Sequence, residues 1–198
     1  MREHELGYWQ DQLMAAMARP SLLEQDRDAP AGQSVPGSRV LVNQELLNAS
    51  RMLRHIPRLP AQNANWLHFA YGVTPDERLH QALTIHVFGL EVATSTPKQS
   101  KQHQLYTLTS IAVLYGRLIR QSSAEASLIT PSYLAEQVGT TLSPDAWRKS
   151  RWAVRWRSLM EHINALDRLS IEELTRLNKL LRQYQEINKC HLNPSSRP

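Results

Sequence analysis

The sequence predicts an all-α fold, a multi-helix domain containing a helix-turn-helix-like element with a long basic second helix. Three observations lead to this prediction. Apolar residues recur every three to four positions along most of the chain, and several segments begin with a capping residue followed by proline. No segment shows the sustained apolar–polar alternation of a half-buried strand.

The first 38 residues predict a helix followed by a linker. Residues 1–18 place Leu6, Trp9 and Leu13 at helical spacing, and Pro20 ends this amphipathic pattern. Residues 19–38 mix three prolines and two glycines with Asp and Ser, and apolar periodicity disappears there. We therefore expect residues 19–38 to be a flexible linker.

Residues 39–125 predict a helical core. Their apolar spacing indicates helices at 43–56, 61–71, 74–92 and 98–121. The third of these has the clearest start, because Thr74 offers a capping hydroxyl, Pro75 fits the first helical position, and Glu77 follows the cap by three residues. Gly72 and Pro97 fall between the predicted helices, as expected for chain breaks.

Residues 126–198 carry the helix-turn-helix-like element and a C-terminal helix. Thr130-Pro131 begins a short helix that contains the small Ala135 and ends at Gly139, and Ser143-Pro144 begins a second, longer helix. A small residue where two helices cross and a glycine in the turn are typical of a helix-turn-helix, although an ordinary helical hairpin is the alternative. A capping box at residues 170–173 predicts a separate final helix.

Charge is distributed unevenly along the chain. Residues 1–97 hold 8 basic and 10 acidic residues, whereas residues 98–198 hold 15 basic and 8 acidic residues. Within the basic half, the eleven residues from Trp147 to Arg157 contain five cations and no acid. This cluster is a plausible electrostatic footprint for a polyanion.

Two neighbouring stripes follow the predicted second helix. One is an apolar seam of Trp152, Trp156, Leu159, Ile163 and Leu166, which we assign to the core. The other consists of Arg148, Arg151, Arg155, Ser158 and His162, displaced by about 100° around the helix axis. An arginine fork can bind phosphate oxygens or the edge of guanine.

We therefore predict a DNA-binding site in this segment. A solvated helix face is the alternative, although such faces usually mix both signs of charge. The predicted DNA-binding residues are Arg148, Lys149, Arg151, Arg155, Arg157, Trp147, Ser143 and Thr141.

The sequence argues against several other classes of protein. One cysteine, Cys190, excludes an internal disulfide framework and a Cys-based zinc site, and the eight histidines form no zinc-hydrolase motif. No Gly-flanked serine elbow or close carboxylate pair is present. We expect a binding protein with no enzymatic activity, metal, cofactor or small-molecule substrate. With no long apolar run and no signal peptide, we also expect no membrane association and a cytoplasmic location.

Two segments resemble a known family. Leu142 to Ser150 reads Leu-Ser-Pro-Asp-Ala-Trp-Arg-Lys-Ser and, with residues 155–159, is similar to the C-terminal DNA-binding segment of lambdoid-phage Q-type antitermination proteins. Trp66 to Gly72 resembles a Leu-His-Tyr-x-Tyr-Gly element of some other phage antiterminators and of sigma-factor-like helical modules. The lambda-type members carry a Cys-rich zinc element that this chain lacks, so the resemblance points to a non-zinc subtype.

The resemblance implies a transcription antitermination factor. Such a protein would bind double-stranded DNA at a phage late promoter and modify paused bacterial RNA polymerase holoenzyme so that it reads through terminators, working at the nucleoid of the host. The helical N-terminal half, with Trp66, His68 and Tyr71, would then face the polymerase. The alternatives are a sequence-specific repressor or activator and a helical adaptor that binds an acidic protein partner.

Overall fold

The computed structural model describes residues 1–17, 52–95 and 97–192, and all regular structure in these residues is helical. The all-α prediction is therefore confirmed. The α-helices are α1 (Glu3–Met17), α2 (Ala61–Tyr71), α3 (Glu77–Ser95), α4 (Gln102–Arg120), α5 (Pro131–Gln137), α6 (Pro144–Arg148) and α7 (Arg151–Leu192). Short 3-10 turns occupy Ile56–Arg58, Gln99–Lys101 and Ala124–Leu128. The predicted linker at 19–38 and most of the predicted helix at 43–56 lie outside the described residues.

The chain divides into two compact units. The first contains the chain up to Leu59 and from Ile171 onward, and the second is the continuous stretch Pro60–Ser170. Helix α7 contributes its first twenty residues to the second unit and the remainder to the first. The predicted division into residues 1–18, 19–38, 39–125 and 126–198 is a functional one and stays a prediction.

The first unit combines α1, the Ile56–Arg58 turn and the C-terminal part of α7. Its buried apolar side chains include Leu13, Met52 and Leu174. His55 precedes the 3-10 turn, and burial, followed by the charges of Arg58 and Arg54, lowers the pKa of this imidazole.

The second unit has its own core. Large, fully buried side chains come from α2, α3, α4 and α7: Trp66, Leu67, Phe69, Leu83, Leu105, Leu108, Leu159 and Ile163. Gly116 of α4 lies where these helices meet, because a Cβ there would be 2.8 Å from Ile163 Cγ2 and 3.1 Å from the Trp66 ring. A larger residue at position 116 therefore requires the side chains of Ile163 and Trp66 to shift.

A buried carboxylate joins three helices of the second unit. Asp167 of α7 accepts hydrogen bonds from Trp66 Nε1 at 2.7 Å and from the Tyr71 hydroxyl at 2.8 Å, both on α2. Its other oxygen lies 3.1 Å from Arg120 Nε of α4. Arg120 also stacks over the Trp66 ring and donates to Asn164 Oδ1 of α7 at 3.0 Å. The charge of Asp167 is thus both paired and hydrogen-bonded, as burial requires.

A buried arginine, Arg117, satisfies the end of α2. Arg117 donates to the carbonyl oxygens of Phe69, Gly72 and Val73 and lies over the Phe69 ring. Burial lowers the pKa of Arg117. Carbonyls at a helix C-terminus carry partial negative charge, so they are suitable partners for a buried cation. Gln121 adds hydrogen bonds to Ala70 and Gly72.

Two predicted helix boundaries are corrected by the structure. Helix α3 begins at Glu77, and its first amides donate to Asp76 Oδ1 at 2.8 and 3.3 Å, so Asp76 replaces Thr74 as the capping residue. The predicted final helix does not begin at Ser170. Helix α7 is continuous there, because the Ser170 hydroxyl is buried and donates to the Leu166 carbonyl at 2.6 Å instead of capping a new helix.

Candidate nucleic-acid interface

The candidate interface is built on α5, α6 and the first turns of α7. Helix α5 begins as predicted, since Thr130 Oγ1 accepts a hydrogen bond from Tyr133 N at 3.2 Å and Pro131 occupies the first turn. It ends at Gln137, and Gly139, two residues later, has a φ of 66°, the left-handed conformation expected in the turn. Gln104 of α4 donates to the Val138 carbonyl at 2.8 Å, which fixes this end of α5.

Helix α6 is shorter than the predicted second helix. Ser143 caps it by accepting a hydrogen bond from Ala146 N at 3.3 Å, but the helix ends after five residues at Arg148. This corrects the expectation of one long helix from Ser143 onward. The long helix, α7, starts only at Arg151.

Ser150 makes the break between α6 and α7. Its hydroxyl donates to the Trp147 carbonyl at 2.7 Å and accepts from Ala153 N at 3.3 Å. One side chain therefore satisfies the end of one helix and the start of the next. This break is hard to predict from the sequence, because neither Gly nor Pro stands between Arg148 and Arg151.

Four predicted basic residues are exposed at this junction. Arg148, Lys149, Arg151 and Arg157 all have exposed side chains, and they lie within ten residues of one another. We call these four residues the basic surface. Thr141 and Ser143, in the turn before α6, are exposed as well. The basic surface meets an acid at Asp145, which pairs with Arg148 at 2.8 Å; both side chains are largely solvent-exposed, so this pair contributes little stability.

The fifth predicted basic residue points elsewhere. Arg155 Nη1 lies 3.5 Å from Glu91 Oε1 and donates to Ser95 Oγ at 2.9 Å, both on α3. Glu91 is buried, and its Oε2 also accepts from Ser158 Oγ at 2.7 Å and lies 3.5 Å from His162 Nε2. The predicted polar stripe is therefore divided, and its C-terminal part satisfies a buried acid.

Sequence reasoning missed Glu91, although a signal was present. Thr84, Val87 and Glu91 are spaced by three and four residues, which places them on one face of α3, and all three are buried. An acid that continues a buried helical stripe requires a cationic partner from another element. The arginine stripe of α7 supplies that partner.

Three predicted aromatic site residues are buried. Trp147 is 3% exposed, Trp66 is 0% exposed and Tyr71 is 2% exposed. This corrects the expectation that Trp66 and Tyr71 belong to a partner-facing surface, because both side chains are buried and both donate hydrogen bonds to Asp167. Trp147 is likewise a core residue. Of the three residues proposed to face the polymerase, His68 is exposed.

Two further features were sought among the described residues, a cluster of metal ligands and a membrane-spanning helix. Within them, no three His, Cys, Asp or Glu side chains come together in an arrangement that could hold an ion. None of the described helices combines the length and apolarity needed to cross a bilayer.

Fold and site together define an all-α protein that exposes four cations within ten residues around one helix junction. The family model of phage antitermination protein Q matches residues 30–192, which include every helix from α2 to α7. The chain therefore belongs to the phage antitermination protein Q family and is a regulatory antitermination factor of bacteriophage type. This confirms the family resemblance seen in the sequence. Searches of curated proteins and of solved structures found no match.

Proposed function

We propose that this antitermination factor binds double-stranded DNA through its basic surface. At a phage late promoter it then acts on paused bacterial RNA polymerase holoenzyme, which goes on to read through terminators. The observation that carries the proposal is the exposure of Arg148, Lys149, Arg151 and Arg157 at one helix junction. Family membership supplies the antitermination context.

Electrostatics sets the expected salt dependence of DNA binding. Each phosphate neutralised on B-DNA releases condensed counterions. The slope of the logarithm of the association constant against the logarithm of the salt concentration therefore changes by about −0.9 per contact. Four contacts would give a slope of roughly −4. Steep loss of affinity with salt is therefore a quantitative signature of the basic surface.

The turn before α6 supplies neutral contacts to the same DNA backbone. Thr141 is exposed there, and the Ser143 oxygen already accepts from Ala146 N, which leaves its hydrogen free to be donated. Hydroxyl groups of this kind commonly bind phosphate oxygens and fix the register of a protein on the duplex.

Arg155 has a positioning role in this proposal. Its guanidinium is partly shielded by Glu91 and Ser95, so it holds α7 against α3 and contributes little charge to the DNA. The orientation of the neighbouring Arg151 and Arg157 then depends on the Glu91 contact.

Binding of late-promoter DNA to single alanine variants tests the DNA contact. Replacing Arg148, Lys149, Arg151 or Arg157 should weaken binding of all sequences to a similar degree and reduce the salt slope by about 1 for each residue. Arg168→Ala is the matched control, because Arg168 is an exposed arginine of α7 outside the basic surface. Equal affinity of the control and the four variants would refute the assignment.

Transcription on a template with a promoter and a downstream terminator tests the remaining steps. The wild-type protein should increase read-through, and Arg151→Ala should reduce it at subsaturating protein concentration. A simple repressor or activator would change the number of transcripts initiated and leave the fraction terminated unchanged.

A further inference from the structure

An open apolar pocket lies beside the basic surface. Its volume is about 250 Å³. Its apolar walls come from the segment before α5 and from α5, α6 and α7: Ile129, Pro131, Leu134, Trp147, Ala153 and Trp156. Small-molecule sites are usually larger, about 300–1,000 Å³, so this pocket suits one or two side chains of a larger partner.

The charge around the pocket selects its partner. Arg148 and Arg157 also line it, and both are exposed, whereas none of the described lining residues is acidic. Arg148 also pairs with Asp145 at 2.8 Å, and this pair is solvent-exposed and therefore weak enough for a partner's carboxylate to compete with it. A complementary ligand is apolar where it enters the pocket and anionic on either side. Desolvated apolar contact would supply affinity, and the two arginines would supply orientation and a faster encounter.

We propose that the pocket docks an acidic segment of a protein partner, which inserts one large apolar side chain while its carboxylates pair with Arg148 and Arg157. An unpaired nucleobase fits the walls less well. Apart from the two arginines, the pocket is lined by apolar residues, so the polar edge of a base would lose hydrogen bonds to water without full replacement. A leucine or phenylalanine side chain carries no such cost.

The docking proposal does not rest on the proposed DNA contact, although the two sites share two residues. Arg148 and Arg157 belong to both sites, whereas Arg151 lines no part of the pocket. An acidic partner and DNA should therefore compete for the protein. Such competition would allow the partner to release the factor from DNA.

Fluorescence anisotropy with the full-length protein tests the proposal. The probe is a labelled peptide with acidic residues on both sides of one central leucine, and the reference peptide carries serine at that position. The leucine peptide should bind about tenfold or more tightly than the serine peptide, as expected from burial of one aliphatic side chain. Both affinities should fall with salt, because the carboxylate contacts are exposed.

Two matched variants separate the pocket from the charges. Ala153→Phe fills the pocket and should abolish the preference for leucine while leaving DNA affinity unchanged. Ala165→Phe makes the same change at an exposed position of α7 and should behave as the wild type. Arg151→Ala should weaken DNA binding and leave peptide binding intact, so failure of the DNA proposal and failure of the docking proposal are distinguishable.

A second pocket variant tests the same proposal if Ala153→Phe does not fold. Ile129→Asp places a carboxylate in the wall and should repel the acidic peptide without loss of helical circular dichroism. Equal affinity for the leucine and serine peptides in the wild type overturns the proposal. So does a preference for leucine that survives in both pocket variants. If single-stranded oligothymidylate loses affinity on Ala153→Phe while the leucine peptide does not, the pocket belongs to unpaired bases and the proposal is wrong.

Discussion

At the residue scale, the surroundings of each arginine decide its role. Arg120 is paired with buried Asp167 at 3.1 Å, and Arg155 lies 3.5 Å from buried Glu91. Arg117 is held by backbone carbonyls at the end of α2. Arg151 and Arg157 remain exposed. Burying a charge is costly unless it is paired and hydrogen-bonded, so cations without a buried partner stay at the surface, where they can meet a polyanion.

Asp167→Asn should strongly destabilise the protein. The substitution removes the negative charge that Arg120 faces, and it places a donating amide group either opposite Arg120 Nε or opposite both Trp66 Nε1 and the Tyr71 hydroxyl. Breaking a buried pair by removing one partner typically costs about 3–5 kcal/mol. Urea denaturation followed by circular dichroism measures this loss of unfolding free energy.

The control for this prediction is Asp145→Asn. Asp145 pairs with Arg148 at the surface, where removing an ion pair changes stability by about 0–1 kcal/mol. A similar effect of the two substitutions would mean that the Asp167 network does not stabilise the core.

At the element scale, a capping pattern predicts a helix start only where no preceding helix continues through it. The start of α5 at Thr130-Pro131 could be predicted because the cap needs only residues within one turn. Ser170 has an equally good capping pattern, yet α7 passes through it. A serine can cap a new helix or bond to the carbonyl four residues back, and the second arrangement applies because the helix before it is already held by the buried Leu166.

Ser150→Ala should weaken the junction of α6 and α7. The change removes the cap of α7 and one of the hydrogen bonds to the Trp147 carbonyl, which keeps its bond from Ser150 N at 2.9 Å. Loss of such a cap costs about 1 kcal/mol. The urea concentration at the midpoint of unfolding should fall accordingly, and the slope of the unfolding free energy against urea concentration should not change. Ser132→Ala, at an exposed position of α5, should change stability by no more than about 0.5 kcal/mol. If both variants unfold alike, Ser150 does not fix the junction.

At the scale of the whole molecule, the second unit contains both its own core and the basic surface. Its central polar network, which links Asp167 to Trp66, Tyr71 and Arg120, lies within Pro60–Ser170. The basic surface and the apolar pocket lie within the same stretch. Folding and DNA contact are therefore expected to be properties of one contiguous piece of chain.

A fragment of residues 60–170 should fold by itself. We expect a cooperative thermal transition by circular dichroism and the same salt slope of DNA binding as the full chain, because the basic surface is complete in it. A fragment of residues 60–150 is the control. It lacks Leu159, Ile163 and Asp167, all of them buried, and should show no cooperative transition. A non-cooperative transition in the longer fragment would contradict the prediction.

By itself, the sequence determined the helical class, the starts of α2 and α5, the turn at Gly139 and the position of the basic cluster. These features depend on neighbours within a few residues, so periodicity, caps and charge counts reveal them. The family resemblance was likewise visible in the sequence, in residues 142–150 and 155–159.

Tertiary structure alone decided which of those residues are available to a partner. It placed Trp66, Tyr71 and Trp147 in the core, and it turned Arg155 toward Glu91 of a distant helix. The physical reason is that burial and ion pairing join residues far apart in the chain, and the preference of a side chain for water or protein depends on what those distant residues offer. The same packing left the four residues of the basic surface exposed beside the apolar pocket.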